Sequence, residues 1–134
     1  MRTTIVFVLA SIAAAYVPPA MAEQWVFISK TTDPHPAELF LDMSSISEKN
    51  DVRVAQTKAV PLAPWPENTP PADRISFGLT TISFDCNAGL VKVGSTELHY
   101  ADGRLGFMDI KQSWEPVDDP STKRMMDLVC AWGA

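Results

Sequence analysis

The chain holds two cysteines, Cys86 and Cys130, and both follow a segment with the form of an export signal. In an oxidising compartment, two cysteines in one small domain pair with each other. No other feature constrains the fold as much, because the bond must join points 44 residues apart. Closing a loop of that length is worth about 4 kcal/mol on a chain-entropy model. A redox role would call for a close Cys-x-x-Cys spacing and a lowered thiol pKa. The spacing here is not of that kind, so the pair reads as a structural disulfide.

Residues 1–22 carry the signal features. Arg2 is the sole charge, and Ile5 to Val17 is apolar. Pro18 and Pro19 break any helix. Ala20-Met21-Ala22 then supplies small side chains at −3 and −1 of a cleavage site before Glu23. The apolar run is shorter than the ~20 residues that span a bilayer. The expectation is a cleaved leader and a single domain over 23–134, periplasmic or secreted, with no membrane insertion after cleavage. That domain carries 10 basic and 16 acidic residues, a net charge of −6 once Arg2 is removed. Nucleic acid and anionic membrane surfaces both require a basic face, so neither is expected as a partner.

The pattern along the chain predicts an α+β domain. Trp25 to Ser29 is aromatic and β-branched and reads as a strand. Ala37 to Asp42 is a second, followed by a turn at Asp42, Ser44 and Ser45 with Ile46 plugging the core. Asp51 to Val60 alternates, with Val52, Val54 and Val60 on one parity and Arg53, Thr57 and Ala59 on the other. Gln56 and Lys58 interrupt the valine face, where the strand is expected to bulge or leave the core. Pro61 to Asp73 holds five prolines and reads as an exposed loop.

Ile75 to Cys86 is a long strand whose apolar positions change parity after Leu79, which predicts a bulge between Gly78 and Thr81. Asn87-Ala88-Gly89 and Asp102-Gly103 read as turns around a strand from Leu90 to Tyr100. Leu105 to Trp114 completes about six strands. Beyond Pro120, Met125, Leu128 and Val129 form a helical stripe, with Ser121 as the expected N-cap and Gly133 just past the end. The whole is an antiparallel sheet with a C-terminal helix packed on it, tied by one disulfide.

This arrangement resembles the surface-adhesin protein E family of small exported bacterial domains. The resemblance rests on Trp25, on Phe40-Leu41-Asp42 followed by Ser45-Ile46, and on the alternating strand from Val52. Asp85-Cys86 and Leu128-Val129-Cys130 complete it. It implies an antiparallel sheet with a helix against it and a non-enzymatic, adhesin-like role at the cell envelope. The named adhesins are surface-anchored lipoproteins. This chain has no cysteine at the cleavage site for lipid attachment, and its loop from Pro61 to Asp73 is unusually proline-rich.

No residue pattern points to catalysis. The two histidines, His35 and His99, lie far apart in sequence among scattered carboxylates, and zinc sites need three or four ligands at defined spacing. Neither a nucleophile elbow nor a phosphate-binding loop is present. No catalytic residue, metal site or cofactor is expected. The candidate contact residue is Trp65, stiffened by Pro64 and Pro66; an aromatic on a rigid loop binds at low entropic cost. Its alternative role is a lid folded back on the sheet. Arg53 and Lys58 are candidates for lining the outer sheet face, and Arg74 stands at the loop exit. The expectation is a binding module for an unknown protein or small ligand. The alternative is an inhibitor or accessory subunit of a periplasmic enzyme.

Overall fold

In a computed structural model, residues 23–32, 36–62, 65, 68–109 and 113–133 are described. The expected signal segment, His35, Pro64 and Pro66 lie outside them. Among the described residues seven strands form one antiparallel sheet: β1 (Trp25–Thr31), β2 (Ala37–Lys49), β3 (Val52–Pro61), β4 (Ile75–Asp85), β5 (Leu90–Tyr100), β6 (Leu105–Met108) and β7 (Glu115–Pro116). The first six pair in chain order, and β7 pairs with β5. One helix, α1 (Pro120–Ala131), packs against the sheet.

The core is the contact between α1 and one sheet face. Ile28, Leu41, Ile46, Ala55, Ile82, Phe84 and Val91 come from the sheet, and Met125 and Val129 from the helix. The predicted stripe on α1 is therefore the buried one. The disulfide joins Cys130 of α1 to Cys86, directly after β4, with the two Cα atoms 5.8 Å apart.

The turn at Asp42 forms as expected, but as a wide bulge within β2 and not at its end. The Asp42 carboxylate accepts from the N–H groups of Gln24 and Ser44 and from the Ser44 hydroxyl, and Ser45 Oγ accepts from Gln56 N–H. The extra residues drop Ile46 into the core and let β2 resume pairing at Ser47. At the next hairpin, Asn50 and Asp51 both have positive φ, the requirement of a two-residue primed turn.

Four local expectations are corrected. In β3 the core-facing side chains are Ala55 and Thr57, so the valine parity is the outer one. Small residues fit beneath the helix, and Gln56 and Lys58 face away from it without any break in the pairing of Val52 to Ala59 with β4. The parity change in β4 is likewise no bulge against β3. It marks a strand with apolar side chains on both faces; against β5 the register does shift between Thr80 and Ile82, where the extra residue lies in β5 at Gly94 and Ser95, and again between Ile75 and Phe77, where Ser76 of β4 is the extra one. The last predicted strand is shorter: β6 ends at Met108, and Glu115–Pro116 pairs separately as β7. Finally, the N-cap of α1 is Asp119, whose carboxylate accepts from Thr122 N–H at 2.9 Å. Pro120 suits the first helical position, because its fixed φ and missing N–H cost nothing there. Ser121 instead bonds Ser29 of β1 through its hydroxyl at 2.7 Å.

Candidate binding face

The helix covers one face of the sheet, and the residues opposite it form the candidate site. Antiparallel register places directly opposed residues on the same face. Followed strand by strand, the register joins Phe27 to Phe40, Phe40 to Lys58, Lys58 to Leu79, Leu79 to Glu97 and Glu97 to Phe107. One row thus crosses all six main strands on the helix-free side. At ~4.8 Å between strands it spans about 24 Å. Phenylalanines stand at both ends and both are exposed: Phe27 at 45% and Phe107 at 72%.

The row is reinforced by its neighbours. Phe27 and Phe40 meet edge to face with ring centroids 5.8 Å apart. Lys58 Nζ lies 4.4 Å from the centre of the Trp25 ring and 5.7 Å from that of Phe77, the attractive placement of a cation over aromatic faces. Phe77 stacks on His99 at 4.2 Å, and His99 pairs with Leu105 on β6. His99 Nε2 is buried and makes no hydrogen bond, although Glu97 Oε1 stands 3.0 Å away. The two atoms approach without hydrogen-bond geometry. Below the row, burial opposes ionisation of Asp42. Hydrogen bonds from Ser44 and Gln24, together with the Lys58 charge, outweigh it and hold the carboxyl below its usual range.

The four candidate contact residues separate. Lys58 belongs to the face. Arg53 points the other way: its Nη1 lies 2.9, 2.8 and 2.8 Å from the carbonyl oxygens of Val129, Cys130 and Trp132, so it caps the C-terminus of α1. A cation there complements the helix dipole and the orphan carbonyls. Arg74 Nε donates to Thr69 O at 3.0 Å and holds the loop exit. Trp65 is half-buried.

Sequence reasoning missed Phe27, Phe40, Phe77, Leu79, Glu97 and Phe107. The signal was present in Trp25-Val26-Phe27-Ile28 and Leu39-Phe40-Leu41, where apolar residues run on without alternating. A strand buried on one face alternates, and an uninterrupted run marks apolar side chains on both faces.

The described residues include no group of three or more His, Cys, Asp or Glu arranged to hold a metal ion. No helix among them is long and apolar enough to cross a membrane. No family model matches the chain, and neither a curated protein nor a solved structure matches it.

Proposed function

We propose that this chain is a non-enzymatic, exported binding module of the bacterial cell envelope, adhesin-like in holding another protein, and that its helix-free sheet face is the contact surface. The observation that carries this reading is the six-strand row from Phe27 to Phe107. A sheet face turned to water ordinarily carries polar residues, whereas this one sets aromatic rings around a lysine and a glutamate. Apolar surface with a few placed charges is the composition of protein interfaces. The disulfide supports an oxidising compartment, and it leaves neither cysteine as a thiol for nucleophilic chemistry.

Site-specific photo-crosslinking tests the face. A photoreactive side chain is placed at Phe27, at Phe107, or at Lys123 on the exposed side of α1, and the exported protein is irradiated in the envelope. Adducts from the two sheet positions and none from the helix position are expected. Adducts from Lys123 alone, or from no position, overturn the reading.

A further inference from the structure

We propose that the occupant of the helix-free face is a second copy of this chain, docked sheet to sheet about a two-fold axis through Leu79. The inference rests on the reading of this face as the contact surface and names its partner. Its basis is the order of residues in the row. Leu79 is flanked on one side by Lys58 and on the other by Glu97, and one strand further out by Phe40 and Phe107. Distances from the centre match because the strand spacing is uniform.

A two-fold axis lying between two facing sheets, directed along β4, exchanges the two sides of the row. Lys58 of each copy then stands over Glu97 of the other, and Phe40 of each over Phe107 of the other. Leu79 meets itself on the axis. Such a contact is isologous, the commonest symmetry of soluble oligomers. Facing sheets sit about 10 Å apart with strands within about 30° of each other. In the single chain Lys58 rests on the Trp25 ring and Glu97 stands beside His99, and docking exchanges these contacts for the ion pairs across the gap. The row is thus complementary to itself in charge: both ion pairs form only when the second copy is reversed, which fixes orientation as well as partner. The edge-most ring, Phe27, has no counterpart strand beyond β6 and sits at the rim.

Association of the mature, oxidised chain is read by sedimentation velocity across a concentration series. Wild type should rise from one to two chain masses. K58E and E97K should each stay monomeric at concentrations where wild type is dimeric, because each brings like charges together twice. Mixing K58E with E97K should restore a two-chain species containing one of each, since every facing pair is then opposite in sign. F107D alters the most exposed ring of the row and should weaken association at least about tenfold, with the melting temperature of the dilute, monomeric protein unchanged. Monomeric wild type, a single-charge variant or F107D that still dimerises as wild type does, or a mixture that fails to associate overturns the proposal. The crosslink from Phe107 separates the two readings. An adduct of two identical chains supports the second copy and the face as a contact surface but overturns its holding of a different protein, one with a different protein overturns the second copy alone, and no adduct overturns both.

Discussion

Arg53 reaches from β3 to the carbonyl oxygen of Cys130, 2.8 Å away, so Cys130 is held to the sheet twice: once through its sulfur and once through its backbone. The same guanidinium spans the neighbouring carbonyls of Val129 and Trp132 and lies 3.8 Å from Glu48 Oε2 through its other terminal nitrogen. Arg53→Ala leaves these carbonyls without their charged donor. A loss of about 2 kcal/mol is expected, as for hydrogen bonds to charged groups. Urea unfolding of the oxidised protein measures it. Arg53→Lys should recover part of the loss, since it keeps the charge but loses the fork. An unchanged midpoint in Arg53→Ala would show that the cap carries no stability.

Gly94 sits in the β5 bulge where a Cβ would lie 2.8 Å from the carbonyl oxygen of Thr81. That neighbour is backbone and cannot swing aside. Gly94→Ala should therefore cost about 1–3 kcal/mol, the range of overpacking. Amide shifts in the variant should concentrate in β4 and β5. A variant as stable as wild type, with shifts spread evenly, would contradict the close approach.

Much of this architecture was legible because its signals are local. Turn residues mark the hairpins, the spacing of Met125, Leu128 and Val129 marks the helix, and two cysteines admit one pairing. Facing was harder to read. Valines and Lys58 share a parity in β3, and only tertiary context shows that Ala55 and Thr57, being small, lie under α1 while the valines do not. Arg53 was misread for the same reason: it sits on the helix side, and its partners are carbonyls about 76 residues away in sequence. The row from Phe27 to Phe107 depends on the register of five strand pairs. No periodicity within a single strand encodes it.

Asp119 gives the fold an acid-sensitive helix cap. Hydrogen bonding to Thr122 is the largest cause holding its carboxyl below the ordinary aspartate range; burial opposes this more weakly. With the folded pKa depressed, the unfolded chain takes up the proton first as pH falls. The contribution is therefore complete above about pH 4 and fades as pH drops through the folded value. Asp119→Ala should cost about 1 kcal/mol at neutral pH, with a smaller difference from wild type in strong acid. Asp119→Asn keeps a capping oxygen and should lose less. Parallel pH profiles for wild type and Asp119→Ala would refute the ionised cap.

The disulfide is one of several attachments of α1, and this sets what its removal should do. Met125 and Val129 are buried against the sheet, Arg124 donates to Ile28 O at 2.6 Å, and Ser121 bonds Ser29. A helix of twelve residues is marginal alone, but these contacts persist without the sulfur bond. The double variant Cys86→Ser/Cys130→Ser should therefore fold, less stable by about 2–4 kcal/mol because its unfolded chain is freer. Amide exchange in the variant should quicken most across α1, which loses its covalent tether, and least in β3 and β4, which keep their ladder on both sides. Equal melting temperatures for the oxidised protein and the variant would remove the stabilising role. Loss of the whole sheet together with the helix would show that the bond, and not the packing of Met125 and Val129, holds the two layers together.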